Sequence, residues 1–149
     1  MNLHNSIFAR GYRFWKHCKC RKLCAQALVL SAYYRFCIWV RKPNKLHRYM
    51  GIRGEESKEK ETEENYRYAY YVAYAVSHVC NRTAWESKCL VRALCAQRLL
   101  HKKGIESTLY LGCGYEDEKF SAHAWLRCGE MYVTGGNGTG FAIVDKFRK

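Results

Sequence analysis

The sequence predicts an α+β fold, with helices first and an antiparallel sheet after them. Three observations carry that expectation. Apolar residues recur at spacings of three and four over residues 24–40 and again over 66–80. Residues 87–103 are apolar on most sides and rich in helix formers, the pattern of a buried helix. After Gly104 the pattern becomes short alternating runs separated by glycines. Segregated helices and strands define the class. At 149 residues the chain suits one compact domain able to bury about 70% of its unfolded surface without staples. Its 48% apolar content and single proline exclude disordered, collagen-like and proline-rich sequence.

The elements follow in order. Residues 10–23 are basic with interleaved aromatics, and residues 24–40 form a helix. Its stripe is Leu28, Val29, Ala32, Phe36 and Trp39, expected to pack on the core, with a monotopic membrane role as the alternative. Pro43 ends that helix. Gly51 and Gly54 open a loop, and the run Glu55–Glu64 reads as a solvated connector or an exposed helix start. Its spacing does not fit an EF-hand loop. The next helix, Tyr66–Cys80, is expected to turn Tyr66, Ala69, Tyr70, Ala73, Ser77 and Cys80 to one side, its five tyrosines packing rather than stacking on bases. Ser87 is the expected N-cap of the third helix, and Gly104 its stop. Strands are expected at Ser107–Cys113, Ser121–Cys128, Met131–Thr134 and Phe141–Val144, with a loop over Gly114–Phe120, a tight turn at Gly129-Glu130 and a glycine loop at 135–140. Three regions result: a basic helical region 1–54, an acidic connector 55–64 and a core 65–149.

Charge is distributed unevenly. Residues 1–54 hold twelve Lys/Arg and no carboxylate, within a chain of net charge +13. Such a segment suits an acidic partner: nucleic acid, lipid headgroups or an acidic protein face. No helix-turn-helix, RNP or zinc-finger pattern favours nucleic acid. The nine cysteines are an odd number, and Met1–Arg13 lacks the apolar core of a secretory signal. Mostly free thiols and a cytoplasmic location are expected. The apolar run Cys24–Val40, broken by Arg35, is too short and polar to be read as a membrane span. His17, Cys18, Cys20 and Cys24 could bind zinc, but their spacing is not a C-x₂-C pair and no second ligand pair follows. No metal or cofactor is expected. Cys95, Cys113 and Cys128 read as small core hydrophobes, and His78 and His101 as surface or helix-end residues.

Cys89 is the chemically suggestive thiol. It falls in the first turn of a buried helix, where the macrodipole and unpaired N–H groups favour a thiolate and could hold an oxyanion. His123 falls mid-strand. A helix-start thiol beside a strand imidazole is what a nucleophile and its base require. A third group should orient the imidazole. With a hairpin at Gly129-Glu130, residue 134 faces 125, which puts Thr134 on the face of His123 one diagonal step away. Asn137 is the second choice. Trp125 is expected beside the site and Trp85 over its entrance.

Glu86–Ala96 (ESKCLVRALCA), Gly104-Ile105, Leu109–Gly112 (LYLG) and Ala122–Trp125 (AHAW) together resemble the transglutaminase-like peptidases of lasso-peptide biosynthesis. These are the C-terminal half of the split B protein, and the likeness covers residues 66–134. The resemblance implies a transglutaminase-like or papain-like cysteine peptidase core behind a helical N-terminal region. It implies that Cys89 is the nucleophile and His123 the base, acting without a cofactor on the leader of a precursor peptide. A separate leader-recognition protein would deliver the precursor, and a lasso cyclase would close the freed core. The family aspartate comes about a dozen residues after its histidine; here that place is Thr134 or Gly135, and no aspartate stands between Asp117 and Asp145. Two rivals stand beside this reading. The thiol could transfer the acyl group to an amine, or the chain could be a basic nucleic-acid or membrane-surface binder.

Overall fold

The computed structural model describes residues 18–40 and 45–149, with side chains from Cys20 onward. Helix α1 (Cys18–Val40) leads to a short α2 (His47–Met50) and a two-residue strand β1 (Ile52–Arg53). Helices α3 (Glu63–Cys80) and α4 (Cys89–Lys102) come next, then strands β2 (Thr108–Glu116), β3 (Lys119–Cys128), β4 (Met131–Thr134) and β5 (Phe141–Arg148). The strands form one antiparallel sheet in the order β1-β5-β2-β3-β4. Helices α1, α3 and α4 pack on one another, and α4 lies against β3 and β4.

Local chemistry explains the boundaries. At α3, the Thr62 hydroxyl accepts the Asn65 N–H at 3.2 Å, and Glu63 and Glu64 sit at the positive end of the helix. Helix α4 stops where Gly104 adopts a positive φ and the Ile105 N–H bonds the Leu100 carbonyl at 3.1 Å. Between β2 and β3 the expected long loop contracts to a turn at Asp117-Glu118, both at positive φ, and the two strands pair as far as Glu116↔Lys119.

Alternation gives the sheet two faces. Leu109, Ala124, Leu126 and Phe147 face the helices and are fully or nearly fully buried. Tyr110, His123, Trp125 and Arg127 occupy the other face: Tyr110 pairs with Trp125 in register, and their rings stack at 5.5 Å. Gly112 lies beneath the Trp125 ring, where an added Cβ would meet indole carbons at 2.7 Å.

Four sequence expectations change. The stripe Leu28, Val29, Phe36, Trp39 points outward; α1 meets the core through Leu23, Ala27, Ser31, Tyr34 and Cys37. Both sides of α1 are apolar, so periodicity could not say which one packs. In α3 the buried side is Ala69, Val72, Val76 and Val79, whereas Tyr70 and Ser77 are exposed. The run Glu55–Glu64 is not merely solvated. Glu55 and Glu56 bridge to Arg148, Arg127 and Lys146, and the buried Ser57 N–H donates to the Thr108 hydroxyl at 2.7 Å. Finally, Lys88, whose side chain makes no capping hydrogen bond, is the N-cap of α4; the Ser87 hydroxyl pairs instead with that of Thr83 at 3.3 Å.

Candidate active site

Cys89 is the first residue of α4 and is half-buried against the core. The first intrahelical bond of α4 runs from the Arg92 N–H to the Lys88 carbonyl at 3.1 Å. The N–H groups ahead of it receive no side-chain cap from Lys88. An uncapped helix start is a place for negative charge, whether thiolate or oxyanion. The loop before it is braced: Arg92 donates to the Ser87 carbonyl at 2.9 Å and to Asn81 Oδ1 at 2.7 Å. Trp85 is tied to α1, its indole N–H reaching the Ser31 hydroxyl at 3.3 Å, and lines a shallow groove there with Phe36 and Trp39.

The other seven described thiols differ in role. Among the described cysteines all are free. Burial pushes the Cys20 and Cys128 thiols up to about 11 and raises Cys95 further. Those three are packing residues held as neutral thiols. Cys113 is half-buried.

His123 is half-buried on β3, its ring flanked by Trp125 at 5.9 Å and Phe141 at 4.9 Å between centroids. Its Nε2 lies 2.7 Å from the Gly135 carbonyl oxygen. A carbonyl only accepts, so Nε2 carries the proton and donates. In the neutral ring, Nδ1 is then the basic nitrogen.

The expected orienter is corrected here. The β3–β4 register shifts between Leu126 and Arg127, so Thr134 pairs with Leu126 rather than with Trp125. Leu126 faces the core, and a one-residue slip reverses the face of each residue beyond it. The Thr134 hydroxyl is accordingly buried with no hydrogen-bond partner, and the Gly135 main chain holds His123 instead. Asn137 is engaged within its own loop, accepting from the Thr139 N–H and hydroxyl at 3.1 and 2.6 Å. Glycine is required at 135. Its φ is +77°, and a Cβ there would meet the Trp125 Cβ at 2.8 Å.

Cys89 and His123 are carried by elements in contact, since α4 packs on β3. Among the described residues no hydrogen bond or ion pair joins them. His123 stands on the Trp125 face of the sheet, whereas Cys89 packs against the core on the helix side. A catalytic pair is often open until substrate binds. His17 and residues 10–16 of the basic, aromatic-rich N-terminal stretch lie outside the described residues, as does the Cys18 side chain. Of the remaining zinc candidates, Cys20 is turned into the core. Among the described residues no group of three or more His, Cys, Asp or Glu gathers to hold a metal.

One network on the outer face was not anticipated. Arg127 donates to the Tyr110 hydroxyl and to Glu56, both at 3.0 Å, and to the Gly129 carbonyl at 2.7 Å. Tyr110 donates to the same Glu56 carboxylate. Alternation along β2 and β3 puts Tyr110 and Arg127 on one face and was available in the sequence; the return of Glu56 across 71 residues was not.

An antiparallel sheet covered on one side by helices, with a half-buried cysteine opening α4 and an anchored histidine on the outer face of β3, defines the class: an α+β domain. The family model described as the transglutaminase-like superfamily matches residues 30–145, and the chain belongs to that superfamily. Its members are typically cysteine-dependent enzymes, peptidases and acyltransferases among them. No curated protein matches the chain, and no solved structure matches it. The family match begins within α1, which takes the second half of that helix into the same domain as the sheet.

Proposed function

We propose that the chain is a cysteine peptidase that removes the leader from a lasso-peptide precursor in the cytoplasm. The observation that carries this reading is Cys89 at the uncapped start of α4, on an element packed against the strand of a carbonyl-anchored His123. The sequence wording around both residues supports the substrate class. This activity requires that the His123 imidazole, which stands on the Trp125 face, come within reach of Cys89 at the end of α4 when substrate is bound. The Cys89 thiol passes its proton to His123 Nδ1, the thiolate attacks the carbonyl carbon at the leader–core junction, and the first-turn N–H groups receive the oxyanion. His123 Nδ1 gives that proton to the departing amine of the core peptide as the C–N bond breaks. It next takes a proton from water, which adds to the thioester and releases the leader as a free acid. The Gly135 carbonyl holds the Nε2 proton throughout, which leaves Nδ1 to exchange the other. A separate leader-recognition protein delivers the precursor, and a cyclase takes the freed core.

The test is leader release from precursor in the presence of the recognition protein, followed by mass spectrometry. Cys89→Ala is expected to lower the rate by roughly 10⁴-fold or more, as loss of a nucleophile does. Undiminished cleavage by that variant overturns the assignment. A leader carrying an amide instead of an acid would move the activity to acyl transfer.

A further inference from the structure

Among the described residues nothing covers one apolar side of helix α1, and the thiol chemistry makes no use of it. Val29, Phe36 and Trp39 are 68%, 59% and 78% exposed, with Leu28, Tyr33 and Val40 beside them. At 1.5 Å per residue this ridge runs roughly 18 Å along the helix. A continuous apolar strip of that kind marks a surface meant to be covered. Exposed bases stand at both ends, Arg21 and Lys22 before it, Lys45 and Arg48 after it. No carboxylate occurs anywhere in residues 1–54.

Hydrocarbon framed by cations, with Trp and Tyr in the ridge, matches the boundary between anionic headgroups and acyl chains. A second copy would set one acid-free, basic segment against another, at electrostatic cost. A nucleic acid would meet hydrocarbon where it needs cations. We propose that α1 docks this protein on an anionic lipid surface, lying in the headgroup plane with Phe36 and Trp39 buried and the flanking bases on lipid phosphates. By length and composition alone Cys20–Val40 could cross a membrane. The opposite side of α1, however, is held in the core by Leu23, Ala27, Tyr34 and Cys37. Spanning would strip that face from its packing, so the helix lies along the surface. This inference stands independently of the peptidase reading.

Flotation of the full chain with vesicles tests it. Vesicles containing about one-third phosphatidylglycerol should retain the protein roughly tenfold better than pure phosphatidylcholine, and less at high salt. The double variant F36S/W39S should lose roughly tenfold in retention with an unchanged thermal melt, because both side chains are exposed. Arg21→Glu with Lys22→Glu should weaken binding to anionic vesicles alone. Alkaline carbonate should strip the bound protein. Equal retention on neutral vesicles, or wild-type retention by both variants, overturns the proposal. Survival of carbonate extraction overturns it in favour of a spanning helix. Self-association abolished by F36S/W39S, without flotation of the parent, overturns it in favour of a second copy.

Discussion

The two faces of the sheet are stabilised by different physics. The helix-facing side is hydrocarbon: Leu109, Leu126 and Phe147 are sealed from water beneath α4 and its neighbours. The outer side is a lattice of rings and charges, with Trp125 stacked on Tyr110, and Arg127, Glu56 and Lys146 linked through one carboxylate. Hydrophobic burial is non-directional and tolerates no void. Charge-assisted hydrogen bonds are directional and leave each partner dependent on the next. The inner face therefore holds the fold, while the outer face sets where particular groups stand, His123 among them.

This difference can be broken in graded steps. The largest effect is expected on the inner face: Leu126→Ala should cost about 2–5 kcal/mol, read as a lowered urea midpoint with unchanged slope. Arg127→Ala should cost less, about 1–3 kcal/mol in the same measurement, because of the three acceptors that lose a shared donor the charged one, Glu56, is open to water. An Arg127 variant as damaging as Leu126→Ala would refute the division of labour. The smallest effect is in acid. The Lys146 ammonium, then Tyr110 and Arg127, hold the Glu56 carboxyl below its usual range against an opposing effect of burial. A carboxyl with a lower value folded than unfolded stabilises at neutral pH and loses that contribution as pH falls through its folded value. Because the Glu56 side chain is 41% exposed, screening holds the contribution below about 1 kcal/mol. Parent and Glu56→Gln should thus differ slightly in melting temperature at pH 7 and converge in strong acid.

Much of the architecture was legible in the sequence because periodicity and glycine punctuation report local preference. The order of helices and strands, the turn at Gly129-Glu130 and the α4 stop at Gly104 all derive from it. What escaped depends on distant partners. The side of α1 that packs is decided by α3 and α4, since both of its sides are apolar. Glu55 and Glu56 read as solvated until Arg127, Lys146 and Arg148 fold back to them. At the site, Cys89 and His123 could be named from position. Thr134 could not be judged, because a single register slip between β3 and β4 reversed its direction and no propensity encodes that slip.

The Gly135 carbonyl has a consequence for how this histidine can be lost or controlled. A carboxylate partner disappears with one codon change, but a peptide oxygen remains under every substitution that leaves the loop in place. Ring and loop become one mechanical unit. Whatever grips or shifts residues 135–140 would swing the imidazole with them, giving a bound peptide a direct handle on the base.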